Sequence, residues 1–100
     1  MASYSIDIPG TQGVVMQKGD TLTINYKTPA KFCISSGNAS DFTPDLPVNV
    51  AGTSTNPWTG TANVTNATIS YSSVGHDKSC GSGNPRGVGG GTIQIGTGTK

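Results

Sequence analysis

Apolar residues return at every second position along this chain, and that period constrains its fold more than any other feature. In Thr21-Leu22-Thr23-Ile24-Asn25-Tyr26 the side chains of Leu22, Ile24 and Tyr26 share one face, the clearest half-buried strand in the sequence. Tyr4, Ile6 and Ile8 alternate with Ser5 and Asp7 until Pro9-Gly10 breaks the run. Val14, Val15 and Met16 lead into a turn at Gln17-Lys18-Gly19-Asp20. Phe32 and Ile34 oppose Cys33 in a short strand from Lys31 to Ser35, Ile69 and Tyr71 pair in Thr68 to Ser72, and Ile93 and Ile95 close the series. Helix is excluded on the same ground and on composition. Glu is absent and Leu occurs only at Leu22 and Leu46, whereas Gly, Thr, Ser and Asn make up nearly half the chain.

These patterns predict about seven or eight short strands joined by Gly/Pro turns, an antiparallel β-sandwich or barrel occupying residues 1–100 as one domain. Seven Val and seven Ile at regular spacing separate it from a disordered polar chain. From Ser36 to Gly60 the pattern thins, because Pro44, Pro47 and Pro57 keep that stretch out of central strands. Within it only Pro47 to Val50 reads as extended, with a further strand over Thr61 to Val64. Trp58 falls in a polar loop, and a long loop runs from Val74 to about Gly90.

A formal charge of +1 with six scattered cations argues against electrostatic binding of nucleic acid. No apolar run approaches the roughly 20 residues of a membrane span. Met1-Ala2-Ser3-Tyr4 is not a basic region followed by a hydrophobic one, so a signal peptide is absent, or a leader has been removed ahead of it. Two cysteines, Cys33 and Cys80, in no CxxC pair, fit one structural disulfide and an oxidising, extracytoplasmic compartment. Sequons at Asn38, Asn63 and Asn66 are weak support, since a chain this rich in Asn, Ser and Thr produces several by chance.

Catalytic machinery is scarce. The glycines from Gly81 to Gly91 suggest a phosphate cradle, but Arg86 stands where a GxGxxG needs its third glycine and a strand follows where a helix is required. A flexible loop across one end of the domain accounts for them better. Carboxylates are limited to Asp7, Asp20, Asp41, Asp45 and Asp77. The one histidine, His76, lies beside Asp77 and near Ser73 and Ser79, and sequence neighbours in a loop rarely converge into a triad. Trp58 reads first as a plug over one end of the core and second as a stacking platform for a sugar or a partner.

Val14-Val15-Met16-Gln17-Lys18-Gly19-Asp20-Thr21-Leu22-Thr23-Ile24-Asn25 resembles the opening of the cupredoxins, in which an extended segment enters a Lys-x-Gly-Asp-Thr turn and strand. Ile69-Ser70-Tyr71-Ser72 is similar to the family's strand before the copper loop, and Gly90-Gly91-Thr92-Ile93-Gln94-Ile95 to its last strand. The resemblance implies a cupredoxin-like Greek-key sandwich. It does not extend to the copper ligands: Lys31-Phe32-Cys33 occupies the region of the first histidine, the later cysteine position falls near Ser73, and no Met follows His76. One histidine cannot complete a trigonal type 1 site.

The expected function is therefore a non-enzymatic recognition module for a protein or a glycan, with Trp58, His76 and Arg86 as the binding candidates and no cofactor. Two alternatives stand beside it. One is a structural subunit of a surface layer, fibre or shell; the other is an atypical copper-binding or electron-transfer protein. The resemblance brings the regions of Cys33 and Cys80 together at one end. Three outcomes stay open there: a disulfide, two free thiols, or a copper or zinc site made of Cys33, His76 and Cys80.

Overall fold

Leu22, Ile24 and Tyr26 all point inward from one strand, as their spacing predicts, and the remaining core assembles around them. The computed structural model describes residues 2–8, 10–80 and 88–96. Nine strands occur among them: β1 (Ser3–Ile8), β2 (Val14–Met16), β3 (Thr21–Tyr26), β4 (Ala30–Ser36), β5 (Phe42–Thr43), β6 (Ala51–Gly52), β7 (Trp58–Ala62), β8 (Ala67–Gly75) and β9 (Val88–Ile95). One turn of 3₁₀-helix, Ala39–Asp41, precedes β5, and no α-helix occurs among the described residues.

The strands form two sheets, ordered β1-β3-β7-β5 and β2-β9-β8-β4-β6. Ile6, Ile8, Leu22, Ile24 and Phe42 from the first meet Met16, Phe32, Ile69, Tyr71, Ile93 and Ile95 from the second in a single core cluster. Phe32 and Tyr71 stack within it, with ring centroids 5.7 Å apart. The all-β expectation therefore holds, with two sheets sharing one core.

The antiparallel expectation does not hold throughout. β1 runs parallel to β3, with Ser3 opposite Thr21 and Ile8 opposite Tyr26, and β2 runs parallel to β9. After β1 the chain does not turn back on itself; it crosses to the other sheet, forms β2 there, and returns as β3 beside β1. That excursion is the crossover a parallel pair needs, made here by a strand instead of a helix.

Three further expectations are corrected. The Pro-rich stretch carries two short strands, β5 and β6, at sheet edges, where a missing N–H is tolerated. Pro47 to Val50 is not a strand: Val48 makes one parallel bridge to Phe32, and Asn49 turns the chain at φ 64. Trp58 opens β7 instead of lying in a loop, and that strand ends at Ala62.

The loop after Val74 is shorter than expected at both ends, since β8 continues to Gly75 and β9 begins at Val88. Gly90 and Gly91 thus lie within a strand, for a steric reason. A Cβ on Gly91 would collide with the Gln12 carbonyl, because the segment before β2 passes directly over it. Gly90, at φ +138, donates its N–H to the Gly10 carbonyl at 2.6 Å, and the Tyr71 hydroxyl donates to the Gln12 carbonyl. Burial, and secondarily the Asp7 charge, raise the Tyr71 phenol above its ordinary pKa of 10.0, so it stays a donor.

Candidate functional site

Phe32 faces the core, so its neighbour Cys33 faces outward, opposite Ser72 of β8. Cys33 is nevertheless only 6% exposed, because the chain after β8 folds back across it. Cys80 closes a disulfide onto it, with the two Cα atoms 5.6 Å apart, within the usual range for a bridge. A second tether runs alongside. The Asn49 N–H donates to the Phe32 carbonyl at 2.8 Å, and its side-chain Oδ1 accepts the Cys80 N–H at 3.1 Å. Asn suits this post because it tolerates the left-handed backbone while offering an acceptor.

Between β8 and the bridge, the Lys78 N–H donates to the Gly75 carbonyl at 2.9 Å and closes a tight turn. That turn presents His76, Asp77 and Lys78 to solvent. Strand register sets where it lies. Ala30 pairs with both Gly75 and Gly52, and the Tyr26 ring covers Gly52 so closely that no Cβ would fit there. The turn, the bridge and the end of β3 therefore share one end of the molecule.

Trp58 lies toward the same end but on the other sheet, opposite Ile24. It is half-buried, packs edge-on against Phe42 with centroids 5.8 Å apart, and lies over Gly60, which has no room for a side chain. Its position is that of a plug at the rim of the core, with part of the indole in solvent. Arg86, the third binding candidate, lies outside the described residues. The structure thus places Trp58 and His76 at one end, on different sheets.

The alternative metal set of Cys33, His76 and Cys80 needs two thiolates, and the bridge consumes both sulfurs. Among the described residues no group of three or more His, Cys, Asp and Glu side chains gathers. No helix there is long and apolar enough to cross a membrane. All three sequon residues, Asn38, Asn63 and Asn66, are exposed, and Asn63 Nδ2 also donates to the Ser40 carbonyl at 3.0 Å and to Thr43 Oγ1 at 2.8 Å.

Sequence reasoning missed Asn49. Its one legible signal was an Asn in the Pro-rich segment, a residue type that accepts positive φ, but no local pattern says which remote amide its side chain will meet. The sequence marks the Asp20 carboxylate only as a turn group. It also accepts the Ala2 N–H at 3.0 Å, joining the start of β1 to the turn before β3, in addition to the Gln17 N–H at 2.9 Å. No protein-family model matches this chain, and no curated protein matches it.

Proposed function

We propose that this chain is a non-enzymatic, extracytoplasmic recognition module on a cupredoxin-like Greek-key sandwich that lacks a type 1 copper site. Its binding end is the one carrying the Gly75–Cys80 turn and Trp58, and its ligand is a protein or a glycan. The observation that carries the reading is the double tether of the turn. The disulfide and the Asn49 bond hold an exposed His76-Asp77-Lys78 segment against β4, and a turn held in place loses little entropy on binding. Three further features support it. The segments that resemble cupredoxins form β2, β3, β8 and β9, of which β2, β9 and β8 are neighbours in one sheet. Cys33 and Cys80 meet where the resemblance brings them together. A disulfide is chemistry of an oxidising compartment.

The test is a screen of the oxidised protein against glycan and protein arrays, followed by titration of any hit with His76→Ala and Trp58→Ala. His76 is exposed, so His76→Ala is expected to weaken binding about tenfold or more, worth about 1.4 kcal/mol, while leaving the melting temperature unchanged. Equal affinity for both variants and the parent would move recognition away from this end. Purified protein with two free thiols and stoichiometric copper or zinc would replace the reading with the copper-handling one.

A further inference from the structure

A Tyr hydroxyl or Trp N–H on a ring packed into a fold usually finds a hydrogen-bond partner there. Two rings without one sit together at the end that carries the Gly75–Cys80 turn. Tyr26 closes β3 and is 3% exposed, with the tip of its ring against Gly52 of β6. Trp58 opens β7 on the same inward face. Ile24 stands opposite Trp58, so Tyr26 is the diagonal neighbour of the indole. Diagonal positions lie about 7–8 Å apart, within reach of aromatic side chains. Neither the Tyr26 hydroxyl nor the Trp58 N–H has a hydrogen-bond partner, whereas among the described residues every buried side-chain N or O atom has one. Both polar atoms therefore open to solvent.

We propose that Tyr26 and Trp58 form a subsite for one sugar residue of a neutral glycan, an inference that rests on the recognition reading above and names its ligand class. The solvent-facing part of the indole is apolar, and the negative face of its ring attracts the C–H groups of a pyranose. Its N–H donates to a sugar oxygen, while Tyr26 Oη both donates to and accepts from a sugar hydroxyl. Burial holds the Tyr26 phenol above its ordinary pKa of 10.0, so it keeps its proton at neutral pH.

The surroundings select a neutral, hydroxyl-rich ligand. Residues 53–57, Thr-Ser-Thr-Asn-Pro, cross from β6 in one sheet to β7 in the other, and all are exposed. The Asn56 N–H donates to the Thr53 carbonyl at 3.0 Å and the Thr53 and Thr55 hydroxyls bond at 3.0 Å, which closes the crossing as a turn. The Asn56 side-chain amide, two residues before Trp58, has no partner in the chain and offers a donor and an acceptor together. No residue of β3, β7 or this crossing is charged, and Lys27, next after Tyr26, has the Asp7 carboxylate at 4.0 Å. An acidic sugar would find no free cation on these elements. A protein partner is disfavoured by the lack of an apolar patch: among the described residues the exposed large hydrophobics, Val15 and Val50, stand at opposite edges of one sheet.

Trp58 is the one tryptophan, so ¹⁵N-labelled oxidised protein gives a single indole N–H signal by NMR. The probes are tetrasaccharides of glucose, mannose, xylose and N-acetylglucosamine, each titrated to about 10 mM, with tetragalacturonate as the charged comparison. At least one neutral sugar is expected to move the indole signal saturably. Tyr26→Phe keeps the ring over Gly52 and removes only a hydroxyl that bonds to nothing in the fold. It is expected to raise the Kd about fivefold and to leave the melting temperature unchanged. His76→Ala is titrated in parallel. An indole signal that no neutral sugar moves overturns the proposal, as does tighter binding of tetragalacturonate. Sugar binding weakened by His76→Ala but not by Tyr26→Phe overturns the subsite and leaves the recognition end standing. Parent affinity in both variants overturns the two readings together.

Discussion

The Asp20 carboxylate accepts N–H bonds first from Ala2 and then from Gln17, and these hold its pKa below the ordinary 3.8 against the opposing effect of burial. A lowered folded-state value means that the unfolded chain takes up the proton more readily. The stabilisation is therefore complete above the ordinary carboxylate range and is lost as pH falls through the lowered value. Urea midpoints measured from pH 6 downward are expected to hold steady and then drop below about pH 4. Asp20→Asn is expected to flatten that drop and to lower the midpoint at neutral pH; a parent and variant with parallel pH profiles would remove Asp20 as the cause. Cys33 acts at the same scale. Its bridge to Cys80 spans 47 residues. In the chain-entropy treatment a loop of that size contributes about 4 kcal/mol. Cys33→Ser is expected to lower the melting temperature by more than about 15 °C for a domain of this length, as is reduction of the parent protein.

Among the elements, the passage from β1 to β2 is held at one point. The segment over residues 10–13 receives the Gly90 N–H on the Gly10 carbonyl and the Tyr71 hydroxyl on the Gln12 carbonyl, while Gly91 leaves the space the segment occupies. This contact keeps β2 beside β9 and so allows β3 to return beside β1. Gly91→Ala is expected to cost about 1–3 kcal/mol, since a methyl group there meets backbone that has to shift. Gly13→Ala is a useful comparison in chemical denaturation: a Cβ there would lie 3.3 Å from the Thr92 carbonyl, a contact that a slight adjustment relieves. A larger loss at Gly13 than at Gly91 would contradict this account of the crossing.

For the whole molecule, almost every pairing joins distant parts of the chain. β1 with β3, β2 with β9, β3 with β7 and β4 with β8 all close long loops before any core forms. Such a topology folds slowly, in milliseconds to seconds, because the closure entropy comes before the contacts that offset it. Trp58 is the one tryptophan in the chain and packs on Phe42, so stopped-flow fluorescence reports its docking directly. Relaxation in microseconds would contradict the topology.

Alternation is a property of neighbouring residues, so it is readable without knowing where the strand goes. Tyr4, Ile6 and Ile8, Leu22, Ile24 and Tyr26, Phe32, Ile69 and Tyr71, Ile93 and Ile95 were all legible as inward sets, and Cys33 as the outward neighbour of Phe32. The two cysteines were legible as a pair because there were only two. Partner choice is different, because an apolar face does not record which sheet it covers. Two parallel pairings where antiparallel ones were expected, the strand entry of Trp58, and glycines serving close packing instead of a loop all depend on residues far away in sequence. Asn49 reaching Cys80 is of the same kind: it is set by which distant backbone groups are taken and which are left, and only the tertiary structure decides that.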